Sequence, residues 1–465
     1  MTAQTILPAN SASGGFDVAN SMHFDGTSNH NHKTPSSSGS QRKFSFSAWV
    51  KKTDFSTGVL FSSGEADGNP NLALYFDSSS RINMYSTQGM QYITTRVFRD
   101  PSAWYHIMFV VGTASSNANN RQQLYVNGVR ETVFSTSTAI GQNTDLSINT
   151  GDYRMSVGTG VDDQDYFGGY MAEVVFLDNQ SLGPLSFGEF DEDSGIWKPI
   201  PIAGSAAVGG TNGFYLDFQA SGNLGNDVFG GTDLTEVNVG ALNQKTDTCT
   251  NNFCTLTPLT KLTDATFQAD LCRVTYGTAS TRRAVFGSMV FTAGKWYCET
   301  KITATSQTSV EMCLGISNTY NPEAIGNALV SNNGFTVSLF PSNGSLYIGT
   351  TRDEQGLGNL AVNDIVGMAL DMDNGTLQFY KNGSALGSAN SITTGDSDDG
   401  ELYPGFTVAN SCSSGGQTFT ASHNFGNPTF SGTDQSDENG FGSFEYAPPS
   451  GFLAMCTKNL ASTGG

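Results

Sequence analysis

The chain is short of charge. Of its 465 residues only 14% are Asp, Glu, Lys or Arg, and 22 basic residues face 42 acidic ones, for a formal net charge of -20. A field of that sign repels phosphate backbones and anionic membranes, and no local Lys/Arg cluster offsets it, so no nucleic-acid partner is expected. Long apolar runs are missing too. The opening MTAQTILPANSASGG has no basic region leading into a sustained apolar segment, and no later stretch approaches membrane-spanning length. The expectation is a soluble chain without membrane insertion that does not use the general secretory route. Cysteine is absent before Cys249, and all 7 cysteines lie from there onward, an odd number that suggests free, buried thiols in a reducing compartment. Cys249 and Cys254 are close enough to pair or to form half a zinc site, yet no His or second close Cys pair completes a ligand set. Stretches of Ala, Leu, Glu and Lys at helical spacing are also lacking, which points away from helices.

What remains is turns and aromatics. With 54 Gly and 31 Phe, the composition suits short strands joined by frequent turns, and the length exceeds what one hydrophobic core usually organises. The clearest stretch is Asp364 to Gly383, DIVGMALDMDNGTLQFYKNG. Val366, Met368 and Leu370 alternate with Gly367, Ala369 and Asp371, then Asn374-Gly375 breaks the run before Leu377 and Phe379 resume it. Asn-Gly tolerates the positive φ angles of a type I′ turn, so a β-hairpin is predicted there, with a second turn at Asn382-Gly383. QLYVNGVRETVF, from Gln123 to Phe134, repeats the pattern around Asn127-Gly128, with a returning strand from Val129 to Phe134. One sandwich per hairpin is the economical reading.

Up to about Gly39 the chain is rich in Ser, Asn, Gly and His, with an alternation around Met22 and Phe24 that reads as an edge strand after a flexible lead. His23, His30 and His32 read as solvated loop imidazoles without carboxylate partners. From Arg42 to about Pro199 strand signals come quickly. FSFSAWVKK, FRDPSAWYHIMFVVG, LYVNG and YFGGYMAEVVFLDNQSL, in that order, are similar to laminin-G-like, concanavalin-A-like jelly rolls, in the form common on tailed-phage virion proteins, and SFGEFDEDSGIWKPI fits the same set. Trp49, Trp104 and Phe176 read as core aromatics. Between about Ala203 and Leu259, Gly, Asn, Thr and Asp dominate around a strand-like island at Phe214 to Phe218, as in a connection that packs an added strand. Further on, GKWYCE, CLGI, the Asp364 to Gly383 hairpin, LYPGF and NFGNPTF resemble in sequence the SPRY domain, a β-sandwich used mainly for protein recognition. One departure is Cys298, where that family commonly has a bulky aromatic. The closing YAPPSGFLAMCTKNLASTGG is similar to the ends of phage structural proteins, with Tyr446, Phe452 and Leu453 placed to anchor a tail on the second sandwich or on a neighbouring subunit.

The fold class expected is therefore all-β, two antiparallel β-sandwich (jelly-roll) domains in tandem. The boundaries are 1–203 for the laminin-G-like domain with its lead, 204–260 for a partly ordered connection, 261–445 for the SPRY-like sandwich and 446–465 for a tail. No catalytic constellation stands out. Glu189, Asp191 and Asp193 alternate and would project together from a strand, as paired carboxylates of retaining glycosidases must, about 5–5.5 Å apart. The laminarinase pattern Glu-x-Asp-x-x-Glu nevertheless fails, because Ser194 holds its last position. His106 and His423 read as satisfied core or edge histidines. Laminin-G-like sandwiches often hold a calcium ion at a loop rim, which makes Asp162, Asp163 and Asp165 in VDDQDYFGG calcium candidates against the alternative of a solvated acidic loop. Asp163, Asp165 and Tyr166 are the carbohydrate-binding candidates, Tyr166 and Phe167 either stacking on a sugar ring or closing the core. The resemblance implies a non-enzymatic protein exposed on a phage virion and assembled in the host cytoplasm. As a fibre or spike adhesin, or a capsid decoration, it would partner other virion proteins, host-surface glycan and copies of itself, with trimers common among fibres. A polysaccharide depolymerase and a purely architectural cement subunit are the alternatives.

Overall fold

The computed structural model describes residues 15–203, 205–258, 265–277, 283–305, 312–318, 336–340, 344–348, 351–354, 356–392, 405, 407–412, 418–432 and 434–462. The lead before Gly15, the expected start of the second sandwich at Lys261, and parts of GFTVSLF, SLYIGT and ELYPGFTVAN lie outside them. The chain divides into two units after Asn252. Each is built almost wholly from antiparallel sheets, and the described helices are short: Ala206–Gly209 (α1), Thr457–Ser462 (α2) and a few single 3-10 turns.

In the first unit one sheet runs, in spatial order, Val129–Arg130 (β10), Gln122–Val126 (β9), Trp104–Gly112 (β8), Lys43–Lys52 (β3), Gly168–Asp178 (β13), Ser21–Asp25 (β1) and Gln244–Lys245 (β18). Phe214–Leu216 (β16) shares the β1 edge of β13. The second sheet runs Phe134–Thr138 (β11), Met90–Thr94 (β7), Ile82–Ser86 (β6), Leu72–Phe76 (β5), Gly58–Gly64 (β4), Arg154–Val157 (β12), His30–Lys33 (β2) and Thr235–Val237 (β17). Period-2 alternation sends Phe44, Phe46, Phe61, Phe76, Phe109 and Phe176 between the sheets, where Phe46 stacks on Phe61 with ring centroids 4.7 Å apart.

The other face of the first sheet is buried as well, which explains its nearly unbroken apolar strands. Trp49, Trp104 and Tyr170 lie there with Val18, Trp197 and Cys249. All three expected core aromatics are buried, Phe176 between the sheets and Trp49 and Trp104 behind the first sheet. The two tryptophans are covered by the hairpin of Gly188–Phe190 (β14) and Trp197–Pro199 (β15) and by residues 244–252. Residues 205–252 belong to this unit, adding β16, β17 and β18. Because β18 pairs with β1, the strand around Met22 and Phe24 is internal and not at an edge.

The turns differ from expectation in an instructive way. Val126 pairs with Val129 across Asn127 (φ 49°) and Gly128 (φ 75°), a true two-residue type I′ loop. The returning strand stops at Arg130, however, and Phe134–Thr138 crosses to β7 of the other sheet.

In the second unit one sheet runs Ala265–Phe267 (β19), Arg273–Tyr276 (β20), Phe419–Asn424 (β31), Lys295–Thr305 (β22), Ile365–Asp371 (β27), Thr376–Lys381 (β28) and Ser384–Ser391 (β29). The other runs Arg283–Phe286 (β21), Thr407–Cys412 (β30), Met312–Ser317 (β23), Thr336–Phe340 (β24), Ser345–Ile348 (β25) and Thr351–Glu354 (β26). Trp296, Cys298, Leu314, Val366, Met368, Leu370 and Phe379 fill the space between. The tail is part of this unit. Gln435–Ser436 (β32) pairs with Ser443–Phe444 (β33), and Leu453–Ala454 (β34) adds to β22 in parallel at Trp296 and Tyr297. Buried Glu299 accepts backbone N–H groups from Glu445 and Tyr446, each at 2.9 Å.

Candidate functional site

The outer face of the second sheet of the first unit gathers the polar and aromatic groups that the sandwich does not consume. On β12, Met155 and Val157 point into the core, so Arg154 and Ser156 point outward. On β2, Ser156 pairs with His32 and Val157 with Asn31, which puts His30 and His32 on the same outward face as Arg154. After β12 the chain folds back in a compact loop: Gly160 N donates to Gln164 O at 2.9 Å, and Phe167 N to Gly158 O at 2.9 Å. Asp163 and Asp165 take left-handed φ angles of 54° and 52° inside it.

That loop brings Asp163 back onto Arg154. The guanidinium donates from Nη2 to Asp163 Oδ1 at 2.7 Å and to His30 Nε2 at 2.5 Å, and from Nη1 to Val161 O at 3.3 Å. His30 Nε2 lies 3.5 Å from the same carboxylate oxygen, and the Tyr166 ring is 5.9 Å from the His30 ring, centroid to centroid. Arg154 and His30 are buried, whereas the Asp163 side chain is 41% exposed, so the carboxylate is the cluster's open end.

The electrostatics follow from this packing. Burial and the Arg154 charge hold His30 below its ordinary pKa, and the same two causes, with His30 itself, bring His32 down to about 4. Burial works to raise the Asp163 carboxyl, but its hydrogen bond to Arg154 and the surrounding positive charge bring it below the ordinary carboxylate value. At neutral pH the cluster therefore carries one cation, one anion and two neutral imidazoles. The open end therefore offers a carboxylate acceptor, its charge balanced by the buried Arg154, beside the ring of Tyr166. Tyr75 and Tyr85 stand on neighbouring β5 and β6 of the same sheet face, both half-buried.

The structure joins two of the sequence candidates, Asp163 and Tyr166, to Arg154 and His30. Asp162 and Asp165 are not joined to them in a cage. Among the described residues no three His, Cys, Asp or Glu side chains group to hold a metal ion. Asp163 is already engaged by a guanidinium, so the residues present do not fit the rim calcium site that the resemblance implies. The reading of His23, His30 and His32 as solvated loop imidazoles is corrected: His23 sits on β1 paired with Tyr170, and His30 and His32 sit on β2, His30 fully packed, because β12 and β17 flank that strand. Arg154 was missed. Nothing local in the sequence marks a partner for it nine residues on.

The carboxylate row at Glu189 does not project from one strand. Only Glu189 lies on β14; Asp191 begins a turn, accepting from Ser194 N at 2.9 Å and Ser194 Oγ at 2.8 Å, and both it and Glu189 face Lys198 Nζ at 3.1 and 3.4 Å. The hydrogen bonds from Ser194 and Lys198 bring Asp191 down to about 2, the wrong direction for a general acid. His106 is fully buried with Nε2 2.8 Å from Ser47 Oγ, and His423 is fully buried with Nδ1 2.9 Å from Thr300 Oγ1. Cys249, Cys254, Cys272, Cys298, Cys313 and Cys456 are buried. An open cleft of about 540 Å³ beside Gly39 and Gly210 is floored by Asp178, whose carboxylate takes Ser40 N at 2.8 Å, Asn149 Nδ2 at 2.6 Å and Asn212 N at 3.3 Å, and so ties the chain together there.

Two antiparallel sandwiches, one with a polar-aromatic sheet face, define a tandem protein of binding-module architecture. A family model described as the concanavalin A-like lectin/glucanases superfamily matches residues 25–182, and a SPRY domain model matches residues 295–420. The chain thus carries a laminin-G-like lectin domain followed by a SPRY domain. No curated protein matches it. Among solved structures, the SPRY domain of human HERC1 is 15% identical, with a TM-score of 0.29, over 36% of this chain and 96% of that one. A putative carbohydrate binding protein from Bacteroides ovatus is 14% identical, with a TM-score of 0.36, over 50% of this chain and 60% of that one. A pentraxin from Limulus polyphemus is 14% identical, with a TM-score of 0.27, over 36% and 80%.

Proposed function

We propose that this is a non-enzymatic recognition protein whose first unit binds a neutral, hydroxyl-rich glycan on the outer face of its second sheet, while the SPRY unit meets a protein partner. The observation that carries this reading is the Arg154–His30–Asp163 cluster with Tyr166 beside it. Fixed, mutually neutralised hydrogen-bonding groups next to an aromatic ring suit sugar hydroxyls and C–H faces. The finer setting is a surface component of a tailed-phage particle, a fibre or spike adhesin or a capsid decoration, assembled in the host cytoplasm against other virion proteins and as a trimer. What supports that setting is the likeness of SFGEFDEDSGIWKPI and of the closing segment to phage structural proteins.

A glycan array probed with the full chain tests the binding. Retention of neutral host-surface glycans by the wild type, lost in Tyr166→Ala, is the expected outcome; an array without signal favours an architectural cement subunit. Release of reducing sugar that disappears in Glu189→Gln would instead make the protein a depolymerase. A density map of the particle locates the chain, and its absence from virions would remove the phage setting while leaving the binding result intact.

A further inference from the structure

We propose that Lys51 and Asn252 become joined by an intramolecular isopeptide bond, with Asp247 carrying the proton. All three lie behind the first sheet, away from the candidate glycan site. Lys51, near the end of β3, is fully buried, as is Asp247, and Asn252 is 4% exposed. Lys51 Nζ lies 2.8 Å from Asp247 Oδ2 and 2.7 Å from Asn252 Oδ1. Each group is fixed from its far side. Trp104 Nε1 donates to Asp247 Oδ1 at 3.0 Å, Asn252 Nδ2 donates to Ser102 O at 2.6 Å, and the Tyr170 ring faces the ammonium at 5.5 Å.

This is more than a buried ion pair. A hydrogen bond of that length to the amide oxygen sets the nitrogen within reach of the amide carbon, and a constellation held by packing supplies the high effective concentration that a slow amide exchange needs. In a dry site, moving the proton from the ammonium to the carboxylate neutralises both partners of the buried pair and frees the lone pair on Nζ. Nζ then bonds to Cγ of Asn252. The protonated Asp247 passes its proton to Nδ2, the Cγ–Nδ2 bond breaks, and ammonia leaves. The products are a secondary amide between the two side chains, ammonium once that ammonia takes the proton left on the new C–N bond, and Asp247 again as carboxylate. No oxidant or cofactor is consumed. The bond would close a loop across 201 positions and tie the last residue of the first unit to its central strand, so that tension on the chain leaving this unit passes into β3 rather than unzipping β16 and β18.

The test is mass spectrometry of the purified full chain. The wild type is expected lighter than its sequence by about 17 Da, the mass of one ammonia. Because a succinimide at an Asn-Gly turn loses the same mass, the deciding readout is the tryptic map: a linked pair of residues 44–52 with residues 246–261, uncleaved at Lys51. Asn252→Ala and Lys51→Met should lose the linked pair, and Asp247→Asn should form it at least tenfold more slowly. Should any variant fail to fold, the wild-type map alone decides. Free peptides carrying unmodified Lys51 and Asn252 after prolonged incubation of folded protein would overturn the proposal and leave an ordinary hydrogen-bonded triad.

Discussion

At the scale of single residues, the first unit is governed by polar groups that burial has forced into one state. Glu173 sits at the bulge of β13 with φ 50°, almost without solvent, and accepts the Tyr215 hydroxyl. Burial pushes its carboxyl from 4.5 up to about 7. The folded state therefore holds a proton that the unfolded chain releases above its ordinary value, so stability falls as pH rises from 4.5 through about 7 and then levels off. Glu173→Gln keeps the shape without the charge. Its stability relative to wild type should rise across that window, reaching on the order of 3 kcal/mol at pH 8, in thermal melts taken at pH 5 and pH 8. An equal difference at both pH values would show that Glu173 ionises freely. His106 acts in the opposite sense. Burial lowers it to about 3, so its contribution is intact above 6.5 and is lost as pH falls toward 3.

At the scale of elements, alternation made the strands readable and side-chain chemistry hid the turns. Val366, Met368, Leu370, Leu377 and Phe379 point inward as their spacing predicted. Asn374-Gly375 is nevertheless not a type I′ turn, because Asp371 pairs with Thr376 across four residues and only Gly375, at φ 63°, is left-handed. The reason is the Asp371 carboxylate, which accepts N–H groups from Asp373 at 3.1 Å and Asn374 at 2.9 Å and thereby builds a longer loop. Asn382 and Gly383, at φ 50° and 79° between paired Lys381 and Ser384, form the two-residue loop that the dipeptide suggests. The two glycines should respond differently to alanine. A Cβ on Gly375 comes no closer than 3.2 Å, to Ile392 O, whereas one on Gly383 falls 2.6 Å from the Tyr446 ring. Urea melts of the second unit should show Gly375→Ala losing about 1 kcal/mol and Gly383→Ala about 2–3 kcal/mol, since only the latter also displaces the anchored tail. Equal losses would mean that Tyr446 does not pack on that turn. The candidate site was half legible for a similar reason: an acidic, aromatic loop advertises itself, while an arginine paired across a turn, and histidines on a strand whose inward residue is the polar Asn31, do not.

At the scale of the whole molecule, each unit closes its sandwich with sequence that lies beyond its recognisable family core. The lectin-like match ends at Leu182, yet Trp197, Cys249 and the Asp247 carboxylate that pairs with buried Lys51 all come later. A composition rich in Gly, Asn and Thr made that stretch look like a connection, because its strands have only two or three residues each and its burial is carried by single side chains. A chain ending at Leu182 should consequently fail to melt cooperatively, having stripped the cover from Trp49, Trp104 and Tyr170, whereas one ending at Asn252 should give a single sharp transition. Cooperative melting of the shorter chain would show the extension to be dispensable. The extension also leaves the outer face of the second sheet uncovered at the Asp163 end, which is where recognition is placed. Calorimetric titration of a glycan retained on the array, against wild type and Tyr166→Ala at matched stability, tests that placement most directly. At least a tenfold loss of affinity in the variant is predicted, and undiminished binding would contradict it.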